Sequence, residues 1–134
     1  MYSAERAADL EPSSLLMVLL AEGVGSAYLD EGRMISGAHG FAGELGHMIV
    51  SVRGKSGALE TMAGAAGFPA AMRPGWSVAQ GVADVLATAN TPETLAALDL
   101  WAEALAIGLA NATHLLDPSR IVLGGPLSAL YPAV

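Results

Sequence analysis

The sequence contains no cysteine, which excludes disulfides, thiolate zinc sites and cysteine-ligated iron–sulfur clusters. Positive charge is scarce. Six Lys+Arg stand against thirteen Asp+Glu, for a formal net charge of -7, and six scattered cations make no footprint for gripping nucleic acid. Long apolar runs are missing too. LLMVLLA, starting at Leu15, is only seven residues, against the roughly 20 that a membrane span needs. The Ala-rich stretch near residue 100 carries Asp99 and Glu103, both costly in lipid. The opening MYSAERAADLEPSS is polar and acidic, unlike a signal peptide. A soluble cytoplasmic protein with no membrane partner is expected.

What is present suits one small folded domain. The chain has 134 residues, 53% of them hydrophobic, and a mean hydropathy of +0.49, which argues against disorder. Residues 3–10 read as a short helix stopped by Pro12. Leu15 to Leu20 reads as a buried strand, followed by a glycine turn at Glu22–Gly25 and a strand over 26–29. Asp30-Glu31-Gly32 is a hairpin turn into a strand over 33–36. The segment GAHGFAGELGH, 37–47, has four glycines in eleven residues and should be an irregular loop. A strand over 48–52, a turn over 53–57 and a helix over 59–66 follow. Ser77 caps a helix to about Ala89, and Thr91-Pro92-Glu93 starts the longest one, ended by Asp117-Pro118. Its apolar face is expected to run Leu95, Leu98, Ala102, Leu105, Leu109, Ala112 and Leu116, widened by Leu100, Trp101 and Ile107. A final strand, 120–123, should return parallel to the first through the helical crossover. The class is α/β. The expected layout is one partial domain over 1–134, with a meander and loop over 15–52, helices over 59–117 and a returning strand over 120–125. No closing element is expected after Gly125, so both ends read as cut.

The glycine loop is the most informative segment for chemistry. Glu44 and His47 are flanked by Gly43 and Gly46, small residues that admit close approach of a ligand. A carboxylate accepts from two hydroxyls while an imidazole donates or accepts, so the pair suits the vicinal hydroxyls of a sugar. The alternative is structural, with Glu44 capping a neighbouring strand and His47 filling space. Glu60 is a third polar group in an apolar setting. His39, His47 and Glu44 form a metal set only on paper, since nothing in their spacing fixes a geometry. His114, near the end of the longest helix, suits a structural role. Glu22-Gly23-Val24-Gly25 is either a phosphate-facing turn or a plain hairpin turn, and its Glu would repel phosphate. Gly124-Gly125 could let a flat ring or ribose lie close to the backbone. No catalytic triad is visible.

GAHGFAGELGHMIV at 37–50 resembles the signature of the ROK family of bacterial repressors and sugar kinases, which share an actin-like, ribonuclease-H-like ATPase fold. LLMVLLAEGVGSAYLDEGRMISG, SGALETMAG and LLDPSRIVLGGPL extend the likeness collinearly from Leu15 to Leu127. The resemblance implies sugar contacts from Glu44, His47 and Glu60, nucleotide phosphates near Gly23 and Gly25, and adenosine near Gly124 and Gly125. It also implies departures. Ala58 stands where the last zinc cysteine belongs and Glu22 where a phosphate-loop threonine belongs. The Asn-Asp pair with the general-base Asp is not matched. On that reading the chain is a partial second lobe, cut at both ends, of a sugar-responsive ROK-type regulator. It has no catalytic residue and no activity of its own, with a fragment of an ATP-dependent hexose or N-acetylhexosamine kinase as the alternative. The expected partner is a hexose or N-acetylhexosamine. No metal or cofactor is expected, with ATP and Mg entering only if kinase function were retained. Self-association through an uncovered cleft or sheet edge is expected as well.

Overall fold

In the computed structural model, residues 13–68 and 73–133 are described; the expected helix over 3–10 lies outside them. Alternation along the first apolar run decides the architecture. β1, Ser14–Leu20, turns Leu16, Val18 and Leu20 to one side, where all three are fully buried, as period-2 geometry requires. β2, Val24–Asp30, pairs antiparallel to β1. β3, Arg33–Met34, closes the hairpin, through a turn whose Glu31 and Gly32 both have positive φ. The turn falls where it was expected, but β2 is longer and β3 shorter than the sequence suggests.

The second half supplies the helices. Near the middle of the chain, β4, Ile49–Val52, and β5, Lys55–Ala58, form a separate two-stranded hairpin. This corrects two expectations: the strand after the glycine loop does not join the meander, and the supposed turn over 53–57 is mostly strand. The reversal needs only Arg53 and Gly54, both at positive φ, as a two-residue hairpin loop does. α1, Leu59–Ala63, ends at Gly64. α2, Val78–Ala87, starts at a full capping box in which Ser77 and Gln80 bond reciprocally. α3, Pro92–Leu116, has Thr91 as N-cap and Asp117 in the left-handed conformation at its end. β6, Arg120–Gly124, then pairs parallel to β1, so the sheet order is β3-β2-β1-β6. Ser14 and Ser119 fasten that return, each backbone N–H donating to the other's hydroxyl at 3.1 and 2.9 Å.

The buried face of α3 is rotated from the expected one. It runs through Leu98, Trp101, Ala104, Leu105, Gly108 and Ala112, whereas Leu95 and Leu100 are over 40% exposed. The physical reason is Gly108. A Cβ there would come within 2.5 Å of Leu59 Cδ2, so the small residue faces α1 and lets Leu59 dock. Two turns earlier, fully buried Trp101 donates its indole N–H to the Ala63 carbonyl at 2.9 Å. α3 is long and apolar enough to cross a membrane by length and composition alone. Here that apolarity is spent on packing against α1 and β4.

The chain does not stop unclosed after β6. A 3-10 segment, Pro126–Ala133, folds back and buries Leu127 and Leu130 completely. The expectation of no closing element is therefore corrected. Short 3-10 turns carry no helical apolar stripe, so two leucines three apart gave little warning.

Trp101→Phe keeps most of the apolar volume but leaves the Ala63 carbonyl without its donor. It should cost about 1–3 kcal/mol, read as a lower midpoint at unchanged slope in urea unfolding; an unchanged midpoint would contradict this packing.

Candidate functional site

Open α/β sheets receive ligands beyond the carboxyl ends of their parallel strands. β1 and β6 end together here, and a cleft of about 560 Å³ opens beside the turn that follows β1. Its walls include Glu22, Gly23, Gly25, Glu44, His47 and Glu60. Those side chains come from three separate pieces of chain, and each is brought in by a local device.

Glu44 is held from both sides by β2. The Ser26 hydroxyl donates to the Gly43 carbonyl and accepts from the Leu45 N–H, the latter at 3.0 Å. The peptide groups flanking Glu44 are thus pinned to a strand. Gly43 adopts φ +83°, a conformation that favours glycine. Leu45–His47 then forms one 3-10 turn. Inside it Gly46 lies against β2 so closely that a Cβ would sit 2.1 Å from the Val24 carbonyl oxygen.

Glu60 arrives from α1. The Met48 carbonyl accepts from Leu59 N–H at 2.8 Å, which joins the end of the glycine loop to the start of that helix. The Glu60 carboxylate lies over Gly23, where a Cβ would meet Oε2 at 3.0 Å. At the far end of α1, Ala65 N–H donates to both the Ala21 and Glu22 carbonyls, at 3.0 and 3.1 Å. His47 Nε2 is 3.8 Å from Glu60 Oε1, with side chains 68% and 38% exposed. That gap is too long for a direct hydrogen bond and suits a ligand hydroxyl bonded to both.

Glu44, His47, Glu60, Gly23 and Gly25 thus share one cleft. Gly124 and Gly125 are not among its walls, although the next residue, Pro126, is. Gly124 pairs with Leu19 in the sheet, and Gly125 crosses Leu20 where a Cβ would come within 2.4 Å of its carbonyl oxygen. His39 is exposed on its loop and does not line the cleft. His114 bonds the Ala110 carbonyl through Nδ1 at 2.7 Å. Ser26, Val78 and Pro126 were missed as contributors. The hydrogen-bond partners of Ser26 lie 17 and 19 positions away, a separation that no local pattern reports.

The donor set does not fit zinc. Among the described residues no group of three His, Asp or Glu side chains could hold a metal ion. The β4–β5 hairpin is held instead by buried Val50 and Val52 and by Arg53 Nε on Glu103 Oε2 at 2.9 Å. A nucleoside triphosphate would find glycine backbone at 23 and 25 but, among the described residues, no Lys or Arg in the walls of this cleft.

This geometry defines an α/β protein with a cleft lined by glycines, carboxylates and an imidazole at the carboxyl end of its central strand. The chain belongs to the ROK family, whose model matches residues 2–133. It is 30% identical to the glucokinase of Halalkalibacterium halodurans, over 86% of this chain and 42% of that protein. It is 31% identical to the N-acetyl-D-glucosamine kinase of Vibrio atlanticus, over 88% and 45%. A ROK family protein from Streptococcus pneumoniae TIGR4, solved in complex with sucrose, superposes with a TM-score of 0.77 at 26% identity, over 97% of this chain and 46% of that one. The chain spans about half the length of these relatives. The family's proteins are soluble and cytoplasmic, which agrees with the composition.

Three expectations are corrected by these findings. The expectation of a second-lobe portion cut at both ends is corrected in its extent: ROK sequence runs from residue 2 to residue 133, beyond the 15–127 stretch that carried the likeness, in a chain that spans about half the length of its relatives. That expectation leaned in part on the lack of any element after Gly125, where a 3-10 segment in fact buries Leu127 and Leu130. The regulator reading yields to its kinase alternative, because these curated relatives are sugar kinases. The expected lack of activity, which rested on an absent first lobe and an unmatched general-base Asp, is corrected by the family-model match over residues 2–133 and by the kinase names of the relatives.

Ser26→Ala removes both tethers of the glycine loop. It should destabilise the protein by about 1–2 kcal/mol and raise amide exchange across 43–47 above that in β1. Unchanged protection at Leu45 would contradict the tether.

Proposed function

We propose that this chain is a sugar-kinase-type ROK domain that binds a hexose or N-acetylhexosamine in the cleft, with Glu44, His47 and Glu60 holding the sugar hydroxyls. The observation carrying this reading is the convergence of a carboxylate and an imidazole from the glycine loop and a second carboxylate from α1 on a single cleft. A carboxylate accepts hydrogen bonds from two hydroxyls and the imidazole supplies a donor or acceptor beside it. A pair of adjacent sugar hydroxyls therefore meets fixed partners. The volume of about 560 Å³ lies in the range of ordinary small-molecule sites. The kinase names of the curated relatives support phosphoryl transfer by the whole protein, with the nucleotide supplying the phosphoryl group and this chain's residues orienting its acceptor. Gly23 and Gly25 are the proposed nucleotide-side backbone of the cleft, with Gly124 and Gly125 next to Pro126 on its rim.

A single folding unit is part of the proposal, supported by one core that runs from Leu16 to Leu130 among the described residues. Self-association is a separate proposal, supported by Met34 and Phe41, which are 65% and 74% exposed. Sedimentation should show a dimer or larger species, and a clean monomer would overturn it.

Calorimetric titration with glucose and N-acetylglucosamine tests the sugar reading. Glu44→Ala, His47→Ala and Glu60→Ala should each weaken binding about tenfold or more, as loss of hydrogen bonds to charged groups implies. No heat with either sugar, or affinities unmoved by all three changes, would overturn it.

A further inference from the structure

Glu44 and His47 belong to a loop fixed to the sheet, by Ser26 at Gly43 and Leu45 and by the close approach of Gly46 to the Val24 carbonyl. Glu60 reaches them by a different route. The chain runs from His47 out along β4, reverses at Arg53 and Gly54, and returns along β5 into α1. The hairpin is held by buried Val50 and Val52, contacts that are non-directional and leave its angle open. Directional contacts with α3 lie at its two ends. At the base, Asn111 Nδ2 donates to Met48 Sδ at 3.6 Å. At the tip, Arg53 Nε donates to Glu103 Oε2 at 2.9 Å, across 50 positions of sequence. Glu103 and Asn111 are eight residues apart on α3, about 12 Å along its axis, so the two contacts fix how the hairpin lies on the helix. A second observation singles out Arg53. Its φ is +48°, in a two-residue turn where Asn, Asp and Gly are the favoured residues. A side chain poorly suited to the turn stands there, and it is the one that spans the gap to α3.

We infer that Arg53 is a positioning residue for the sugar site: its ion pair with Glu103 sets the angle at which the hairpin delivers Glu60 beside His47. The inference deepens the sugar reading above and rests on it. What the pair governs is the 3.8 Å between His47 Nε2 and Glu60 Oε1, a spacing that a small swing of the hairpin changes, and a displacement of such groups by about 1 Å is costly to a bound ligand. Both side chains of the pair are partly exposed, so it is screened by salt and contributes little to global stability. Its effect falls on the placement of Glu60 and is read in affinity rather than in unfolding.

The full chain is titrated calorimetrically with glucose and N-acetylglucosamine as wild type, Arg53→Asn, Arg53→Lys, Glu103→Gln and the double variant Arg53→Asn/Glu103→Gln. Asn suits the turn, so the urea midpoint of Arg53→Asn should be no lower than that of wild type. Sugar should nevertheless bind it about threefold more weakly, the scale of one exposed ion pair. Arg53→Lys should recover most of that loss, and the double variant should bind no more weakly than either single one. Raising salt from ~0.01 M to ~1 M should weaken wild type towards Arg53→Asn and leave that variant unmoved. If Arg53→Asn binds as tightly as wild type, if the single losses add in the double variant, or if affinity falls only alongside a lowered midpoint, the inference is overturned while the sugar reading stands. If neither sugar binds wild type, the sugar reading itself fails and takes the inference with it.

Discussion

The site depends on backbone segments meeting where a side chain would not fit. The glycine loop touches β2 at Gly46, and the end of α1 touches the turn after β1 at Gly64. At both places a Cβ would fall within 2.6 Å of a carbonyl oxygen. These approaches bring a loop, a strand end and a short helix to one cleft. Hydrogen bonds then fix the register of the contact: Ser26 across the loop, Leu59 N–H to the Met48 carbonyl, and Ala65 N–H to two carbonyls of the turn. Removing one bond loosens one wall, whereas a larger side chain at Gly46 or Gly64 would push the walls apart.

Behind the site the core acts as a stop. Leu59 enters the space that Gly108 leaves on α3, and Trp101 bonds the carbonyl at the end of α1. The five-residue helix carrying Glu60 is too short to be stable alone; its orientation is set by α3. Tyr28 ties the other side, donating from β2 to the Leu116 carbonyl at 3.0 Å. Order thus passes from the longest helix to the shortest one and on to the carboxylate. A substitution on the buried face of α3 is therefore expected to be felt at the cleft although it touches no ligand.

Elements whose signals are local were legible in the sequence. The caps at Ser77 and Thr91, the buried run of β1, the Glu31-Gly32 turn and the parallel return of β6 could all be read from neighbouring residues. Elements decided by distant partners were not. β5 looks like a turn because Lys55-Ser56-Gly57 has no apolar alternation, and it becomes a strand by pairing with β4. The face of α3 is set by Leu59, about fifty positions away, rather than by its own leucine spacing. At the site, Glu44 and His47 were legible because glycines flank them. Glu60 was picked out by its apolar setting, but its proximity to Gly23 was not visible. The element after β6 escaped notice for a similar reason: only a three-dimensional partner reveals that Leu127 and Leu130 of Pro126–Ala133 are buried.

The central claim is that Glu44, His47 and Glu60 act as one polyol-binding group. The most direct test is a hexose titration followed by backbone amide and histidine-ring NMR signals. The account predicts shifts concentrated at Gly23–Gly25, Glu44–His47 and Glu60. Shifts centred instead on the second cavity, lined by Leu109, Ile121, Leu123 and Tyr131, or none at all at saturating sugar, would contradict it.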